Sequence, residues 1–386
     1  MNKKLSVFEA SCIVAGNGIG GGLMALPFLA KNVGWVGTII VLIFAWLITV
    51  ILHLMTADML LSAKNGNGIL SLFNEFLFRG KLKKLLTAVF FILLLITLLF
   101  NLSAYITGGS DVITSLLGLP YALSKVLLYS IAVIVPIWGL KALGFSEKTT
   151  VIMMILATLF LTAISSVKGD NTLDIVPQNG NSILALYGLA MFSFSALFSV
   201  SQAVEGLDHN PKSVKKAVAA GIGINLGMSL MICFSALYAS KTVTEVAIVG
   251  WGDALGLPIK IIGSLLILFA MLTSFWSIAL ALSDMVCEQF NFKHKKWLVF
   301  ICSTAPCLLL SLFSGANFTS FIGIAGGAVA VIIALLLLPA YHMSSKATGS
   351  KTVTTLPGRI NGNIWVIIII GMCYILMAVG AVTAAF

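Results

Sequence analysis

The sequence GNGIGGGLMALP, residues 16–27, lies in the middle of the first apolar segment. Five of its first seven residues are glycine, and each glycine costs a helix about 1 kcal/mol relative to alanine. The flanking residues, 8–14 and 23–30, are still apolar enough for a bilayer. Unpaired backbone at membrane depth is tolerated only where protein buries it or where it lines a cavity. The stretch therefore predicts a helix broken at its centre, whose free amides and carbonyls bind a ligand. Close packing of two helices through small residues is the alternative explanation.

The composition is that of a membrane protein along the whole chain. Of the 386 residues, 59% are hydrophobic and 9% are charged, whereas soluble domains carry roughly 25% charged residues. The six cysteines lie inside or at the ends of apolar segments, which is typical of buried side chains and not of a disulfide framework or a zinc site. The short basic start is not followed by a clear cleavage site, so the first apolar segment is predicted to span the membrane and not to be a signal peptide.

Eleven segments are long enough to cross the hydrocarbon core, which takes about 20 residues in a helix. These predicted spans are 8–32, 34–62, 84–108, 122–140, 148–168, 182–206, 214–240, 257–287, 296–313, 317–341 and 363–384. The stretches between them are too short for a soluble domain. The sequence therefore predicts an all-α polytopic membrane protein.

The positive charges are distributed unequally between the two sides of these spans. Of the 23 lysine and arginine residues, only five fall on the side opposite Lys3, namely Lys31, Lys125, Lys168, Lys241 and Lys260. The positive-inside rule then places the N-terminus in the cytoplasm and, with eleven spans, the C-terminus outside the plasma (bacterial inner) membrane. The net charge of +10 is explained by cytoplasmic loops, so no nucleic-acid partner is expected.

A second irregular segment is predicted in the sixth span. The sequence YGLAMFSFSALFSVSQ, residues 187–202, places four serines and a glutamine in an otherwise apolar helix. Serine hydroxyls bond back to helix carbonyls and bend helices, so a break is predicted near residues 193–196. A continuous helix with a hydrophilic stripe is the alternative. Irregular segments at positions one and six of a ten-helix set are typical of two inverted repeats whose broken helices meet at the midplane.

The acidic and histidine residues within the spans are expected near helix ends. His53, Asp58, Glu205 and Asp284 fall close to the predicted cytoplasmic ends of their spans, and residues 150–167 of the fifth span are uncharged. No unpaired charge is therefore expected at the membrane centre. This favours a substrate that is neutral and zwitterionic.

Three patches resemble the tyrosine- and tryptophan-specific permeases. Residues 14–27, VAGNGIGGGLMALP, are similar to their first-helix motif, Gly-Thr-x-Ile-Gly-Ala-Gly-Met-x-x-x-Pro. Residues 273–284, TSFWSIALALSD, resemble their eighth helix, and residues 205–217, EGLDHNPKSVKKA, resemble the loop after their sixth helix. The span layout is similar over nearly the whole chain. The resemblance implies the amino acid–polyamine–organocation superfamily.

That superfamily implies a leucine-transporter-type fold for this chain. Residues 1–168 and 182–341 would then form a five-plus-five inverted repeat with helices 1 and 6 broken, and residues 363–384 an additional helix. Two positions depart from the aromatic permeases. Asn17 stands where they have threonine, as in the sodium-coupled system N/A neutral amino acid transporters, and residues 195–197 read Ser-Ala-Leu instead of Gly-Phe-His.

The residues and the resemblance together predict a substrate site at the two breaks. The amides of residues 20–22, at the start of the second half-helix, would bind a carboxylate. Carbonyls that end the first half-helix, and those around Ser193, would accept from the substrate ammonium group. A tyrosine on helix 3 would cap the carboxylate, and two phenylalanines on helix 6 would shape the side-chain pocket. The predicted substrate-binding residues are Ala15, Gly16, Gly20, Gly21, Gly22, Tyr105, Ser193, Phe194 and Phe198.

The sequence favours sodium over protons as the coupling ion. Asn17, Thr273 and Ser274, together with the carbonyls of helix 1, supply oxygens from two neighbouring helices for a sodium ion. Proton coupling is the alternative, and the resemblance to the aromatic permeases implies it. Apart from this ion, no cofactor is expected.

These features predict a symporter that imports a neutral L-amino acid, with aromatic amino acids included, by alternating access. Its expected partners are the amino acid and the lipid bilayer, and the sequence gives no oligomeric state. A channel or uniporter is the rival, because breaks and small residues also line pores. An enzyme is not expected, because the sequence has neither a Gly-x-x-x-x-Gly-Lys-Ser/Thr nor a His-Glu-x-x-His motif.

Overall fold

The computed structural model describes residues 5–63, 68–169, 180–239, 256–292, 296–348, 355–357, 360 and 362–385, and its regular structure over these ranges is entirely helical. The helices are α1 (Val7–Gly18), α2 (Gly21–Ala30), α3 (Trp35–Ser62), α4 (Ile69–Leu72), α5 (Lys83–Leu117), α6 (Tyr121–Ala132), α7 (Ile134–Ile137), α8 (Leu140–Lys168), α9 (Gly180–Ser193), α10 (Leu197–Gly206), α11 (Pro211–Ala239), α12 (Leu257–Phe290), α13 (Lys296–Phe313), α14 (Phe318–Ile332), α15 (Leu338–Thr348) and α16 (Ile364–Ala385). There are also two short π-helical turns. Phe73–Leu77 follows α4, and Ile333–Leu337 joins α14 to α15.

Eight helical segments of the described chain are long and apolar enough to cross a membrane. They are Trp35–Ser62, Lys83–Leu117, Leu140–Lys168, Ser182–Gly206, Pro211–Ala239, Leu257–Phe290, Ser320–Lys346 and Ile364–Ala381. Two further apolar helices, Tyr121–Ile137 and Trp297–Phe313, are shorter. Large apolar side chains such as Ile40, Phe44 and Leu47 on α3 are exposed, which suits contact with lipid.

Both predicted breaks are present in the structure. The first apolar segment is divided because α1 ends at Gly18 and α2 begins at Gly21. The sixth is divided because α9 ends at Ser193 and α10 begins at Leu197. The glycines explain the first break, since they remove the side-chain packing and the backbone preference that would hold a helix together.

Two helices extend by eight residues or more beyond one end of the spans predicted for them. The third span was expected to end at residue 108, but α5 continues to Leu117, where Gly118 adopts a left-handed φ of 66° and closes the helix. The fifth was expected to begin at residue 148, but α8 begins at Leu140, directly after Gly139 with its φ of 83°. The eight additional residues bring Glu147 into the helix, with consequences for the site.

The broken helices lie at the centre of the bundle. The first half-helix, α1, packs against α8, α11 and α12, and α2 packs against α9. The last helix, α16, packs on α9 at a very close approach: a Cβ on Gly188 would lie 2.5 Å from the backbone carbon of Gly380. This glycine pair lets the two backbones touch, as small residues do at membrane helix interfaces.

Candidate functional site

The two breaks face each other across the centre of the bundle. A Cβ placed on Gly22 would lie 3.1 Å from Cβ of Ser193, and one placed on Gly18 would lie 3.0 Å from the Ser193 carbonyl oxygen. Glycine is therefore needed on the α1–α2 side, because the end of α9 approaches its backbone directly. The backbone groups that the two breaks leave without helical partners therefore lie close together.

A small cavity lies at this junction. Its lining combines backbone of the first break, polar side chains and apolar side chains: Asn17, Gly18, Gly20, Gly22, Asn101, Tyr105, Phe192, Ser193, Ser195, Phe198, Ile278 and Val329. The free volume is about 20 Å³, which is room for roughly one water molecule. An amino acid can enter only if the walls move apart.

A larger cavity, which we call the vestibule, reaches from the same region towards the predicted cytoplasmic side. Its volume is about 540 Å³, and its lining includes Phe198, Gln202 and the acidic residues Glu205, Asp284 and Glu288. Phe198 lines both the small cavity and the vestibule. Its side chain therefore forms part of the wall between them.

Five of the nine predicted substrate-binding residues line the small cavity: Gly20, Gly22, Tyr105, Ser193 and Phe198. Ala15, Gly16 and Phe194 are not in its lining, and the surroundings of Gly21 lie outside what the structure describes. Phe194 is fully buried elsewhere, and the neighbouring Phe192 takes the place that was predicted for it. At a helix break the 3.6-residue period is interrupted, so the sequence does not show which phenylalanine faces the cavity.

The predicted ion-binding residues are split between two environments. The Thr273 hydroxyl donates to the Gly16 carbonyl at 3.0 Å, and the Ser274 hydroxyl lies 3.1 Å from the Gly16 carbonyl and 2.9 Å from the Asn17 carbonyl. These contacts join α12 to the end of α1. The Asn17 side chain instead lines the small cavity, and no described residue hydrogen-bonds its Oδ1 atom.

The junction between the ion-binding residues and the cavity is formed by Gly20 and Tyr105. A Cβ on Gly20 would lie 3.1 Å from Cβ of Ser274 and 3.1 Å from Cε1 of Tyr105. The Tyr105 hydroxyl also interacts with the Ser274 side chain. The start of α2 is thus packed between the helix that supplies the hydroxyls and the tyrosine that lines the cavity.

Glu147 lies beside the first break, where no charged group was expected. The expectation was wrong because the predicted fifth span began one residue too late to include it. Glu147 is 0% exposed, and its Oε1 accepts a hydrogen bond from the Ser277 hydroxyl at 3.0 Å. A Cβ on Gly16 would lie 2.8 Å from the carboxyl carbon of Glu147. A helix starting after Gly139 is the sequence signal that would have placed it.

His53 lies at the second break and not merely near a helix end. Its Nε2 accepts a hydrogen bond from the Ala196 amide at 2.8 Å, and its Nδ1 lies 2.7 Å from the Thr49 carbonyl. A carbonyl can only accept and an amide can only donate, so these partners fix the neutral tautomer with the proton on Nδ1. His53 therefore caps an amide that the break leaves without a helical partner.

The sequence of this chain is similar to those of known transporters. Residues 3–380 match the model of the tryptophan/tyrosine permease family. A tryptophan-specific transport protein of Haemophilus influenzae is 24% identical over 416 residues, covering 98% of this chain and 97% of that protein. Tyrosine-specific transport system 1 of the same organism is 22% identical over 355 residues, covering 84% of each chain. Glutamine transporter 2 of Aliivibrio fischeri is 23% identical over 354 residues, covering 87% of this chain and 88% of that one.

The fold is also similar to that of solved transporters. Mhp1, a nucleobase-cation-symport-1 family transporter in a closed conformation with bromovinylhydantoin bound, superposes with a TM-score of 0.69 at 13% identity. The superposition covers 99% of this chain and 91% of that one. The two proteins thus share an architecture.

Proposed function

We propose, because this chain belongs to the tryptophan/tyrosine permease family, that it is a secondary active transporter that imports a neutral L-amino acid, with aromatic amino acids as the preferred class. Membership in a family of transporters identifies the chain as a membrane transporter and not as an enzyme. The substrate, the coupling ion and the orientation in the membrane are parts of the proposal.

The observation that carries the proposal is the cavity where the two breaks meet. The first amides of a helix have no partner within it, and the helix dipole favours negative charge there. The start of α2 at Gly21 therefore suits the carboxylate of an amino acid. The end of α9, with the Ser193 carbonyl beside Gly18, suits its ammonium group. A zwitterion would satisfy both half-helix ends at once.

The rest of the cavity supports an aromatic side chain. Phe192, Phe198, Ile278 and Val329 give it an apolar wall, and aromatic rings gain most from burial against such surfaces. The curated relatives named for tryptophan and tyrosine support the same class.

A polar neutral amino acid is the second candidate. The cavity lining includes the carboxamides of Asn17 and Asn101, and no described residue hydrogen-bonds Oδ1 of Asn17. A relative is named as a glutamine transporter. A carboxamide side chain on the substrate would donate a hydrogen bond to Oδ1 of Asn17. With an aromatic substrate, that donor would have to be a polar ring atom or a water molecule.

The proposed topology has eleven spans. They comprise the eight long apolar helices, the two shorter ones, and the broken segment formed by α1 and α2. Residues 1–168 and 182–341 would form the two inverted repeats, and 363–384 the additional helix. The charge asymmetry supports a cytoplasmic N-terminus and an external C-terminus.

A cation gradient is the proposed source of energy. The hydroxyls of Thr273 and Ser274 and the carbonyls of Gly16 and Asn17 provide four oxygens on two helices, which supports a sodium site at the end of a broken helix. A proton is the alternative, and Glu147 provides an ionisable group close to Gly16, where a Cβ would lie 2.8 Å from its carboxyl carbon.

Uptake into proteoliposomes tests the function. The purified protein would be supplied with labelled L-tryptophan, L-tyrosine, L-phenylalanine and L-glutamine, with sodium and pH gradients imposed separately. We expect saturable accumulation of the aromatic amino acids and counterflow in the absence of any gradient. Uptake of glutamine alone would favour the second candidate. Flux that does not saturate and shows no counterflow would contradict a transporter and indicate a channel.

A further inference from the structure

Asn225 on α11 is buried without a hydrogen-bond partner. Its side chain is 1% exposed, and no described residue hydrogen-bonds its Nδ2 or its Oδ1. A carboxamide offers two donors and one acceptor, and burying such a group without partners costs free energy. Nearly all buried polar groups in proteins are hydrogen-bonded, so an exception needs an explanation. The surroundings of Asn225 indicate what this side chain binds.

The packing of α11 directs the carboxamide at the first break. A Cβ on Gly221 would lie 2.7 Å from the Ser11 carbonyl oxygen, so α11 approaches α1 closely there. Residues four apart lie on the same face of a helix, and Asn225 follows one turn after Gly221. At this turn a Cβ on Gly18 would lie 3.1 Å from Cγ of Asn225 and closer still to its Nδ2. Only glycine at position 18 therefore leaves room for the carboxamide at the end of α1.

The second break reaches the same point. The Cβ position on Gly18 also lies 3.0 Å from the carbonyl oxygen of Ser193, the last residue of α9. Gly18 and Ser193 both line the small cavity. The Asn225 carboxamide therefore lies against the part of the cavity wall that these two residues form.

Two helices end at this point, which favours a cationic group. The C-terminal end of a helix carries about half a negative charge, because its last carbonyls have no helical partner. An ammonium group has three N–H donors and no acceptor, so it needs several oxygens around it. Asn225 can supply one of them from a third helix. Since neither atom of the carboxamide has a described partner, Oδ1 can turn towards the cavity without breaking a hydrogen bond.

We propose that Asn225 is a substrate-binding residue whose Oδ1 accepts a hydrogen bond from the α-ammonium group of the amino acid, beside the Ser193 carbonyl. The inference rests on the proposed function and deepens it, because it adds a residue of α11 to a site built from the two broken helices. When the walls of the small cavity move apart, the ammonium group reaches the carboxamide. Every L-amino acid carries this group, so Asn225 recognises an amino acid and not a particular side chain.

Two substitutions separate the acceptor from the donor. Asn225→Leu keeps a side chain of similar size and removes both polar atoms. Asn225→Asp keeps an oxygen that can accept from the ammonium group and loses the donor. The matched control is Ser235→Ala on the same helix. The Ser235 hydroxyl is buried too, but it contacts the Thr162 hydroxyl and the Met231 carbonyl and is not in the cavity lining.

Equilibrium binding of labelled L-tryptophan and labelled L-glutamine to the purified full chain measures the effect. We expect Asn225→Leu to lose about 10- to 100-fold in affinity for each of the two that the wild type binds, which is the range for a hydrogen bond to a charged group. Asn225→Asp should retain most of the affinity, because the acceptor remains. Ser235→Ala should bind as the wild type does.

Thermal unfolding without substrate distinguishes binding from a structural role. A buried carboxamide without partners adds no hydrogen bond to the fold, so its replacement by an apolar side chain of similar size is nearly neutral or stabilising. Asn225→Leu should therefore unfold at the wild-type temperature or above it, while its stabilisation by added amino acid decreases with the affinity. A lower unfolding temperature without substrate would refute the assignment, since it would show that the carboxamide stabilises the fold.

The outcomes separate this inference from the proposed function. If the wild type binds an amino acid and Asn225→Leu binds it equally well, the role of Asn225 is refuted while the proposed function stands. If the wild type binds neither amino acid, the proposed function is refuted and the inference falls with it. Equal losses in Asn225→Leu and Asn225→Asp would show that the donor is the essential group, which contradicts a contact with ammonium.

Two further results would also refute the contact with the ammonium group. A loss confined to one of two amino acids that the wild type binds would assign Asn225 to the substrate side chain. A loss that disappears at high sodium concentration would assign Oδ1 to the coupling ion. An equal loss for both amino acids, at low and at high sodium concentration, is the result that the proposal predicts.

Discussion

Replacing His53 should destabilise the second break, and the cost in free energy can be estimated from the hydrogen bond that is lost. The His53 ring is 0% exposed and connects the α3 backbone at Thr49 to the Ala196 amide in the break. His53→Leu keeps an apolar side chain of moderate size but removes the acceptor. The Ala196 amide is then left buried without a partner.

An unsatisfied buried donor costs about 1–3 kcal/mol. Ser193 and Ser195, on either side of the same bend, line the small cavity, so the cost falls on the conformation that binds substrate. A coupling of that size corresponds to a loss of about 5- to 150-fold in substrate affinity. His53→Gln should recover much of this loss, because its side-chain oxygen reaches the position of Nε2. His53→Asn should not, because its oxygen stands where Nδ1 does.

Binding of labelled L-tryptophan to the purified variants measures the effect, and thermal unfolding of each variant separates affinity from general stability. His342→Leu, in α15 and outside the cavity lining, is the control for loss of a histidine. We expect the order of affinity to be wild type, then Gln, then Asn and Leu. If His53→Leu binds as the wild type does, or if Gln and Asn are equally impaired, the capping role is refuted.

The packing at α2, the Phe198 ring and the orientation in the membrane can each be tested by substitution. Gly20→Ala should lower the rate of uptake, because its Cβ would lie 3.1 Å from Cε1 of Tyr105. The control Gly223→Ala on α11 should transport normally, because a Cβ there has nothing within 4 Å. Equal rates for the two variants would contradict the close packing at α2. Phe198→Ala should open the wall between the small cavity and the vestibule and weaken the retention of bound L-tryptophan, measured as a faster dissociation rate; an unchanged rate would show that the ring is not part of a gate. A cysteine added at the C-terminus should react with an impermeant maleimide in intact cells, while one added at the N-terminus should react only after lysis; the reverse pattern would overturn the proposed orientation.

The helix breaks could be predicted because their causes are local. Glycine weakens a helix in any sequence context, so the five glycines from Gly16 to Gly22 predict the first break without knowledge of the fold. Serines such as those between Ser193 and Ser201 favour a bend when they bond to the backbone, and the structure records one such bond, from the Ser201 hydroxyl to the Phe198 carbonyl at 2.8 Å. Thr273 and Ser274 were predicted as sodium ligands together with the carbonyls of helix 1. In the structure their hydroxyls contact the carbonyls of Gly16 and Asn17 directly, and the sodium role stays a prediction.

The residues that were missed depend on where helices begin and how deep they lie. A hydropathy window finds the apolar part of a helix, so it excluded the polar first turns of α8 and with them Glu147. His53 was assigned to a helix end because the sequence carries no information on which neighbouring element reaches it. The choice between Phe192 and Phe194 depends on the geometry of an irregular backbone, to which no periodic rule applies.

The central claim is that the amino acid binds where the two breaks meet. A structure determined experimentally with L-tryptophan bound tests it most directly. We expect density for the substrate in an enlarged form of the cavity that Gly22 and Ser193 line, with its carboxylate at the first amides of α2 and its ring against Phe192 and Phe198. Substrate density confined to the vestibule, with the small cavity unchanged, would contradict it.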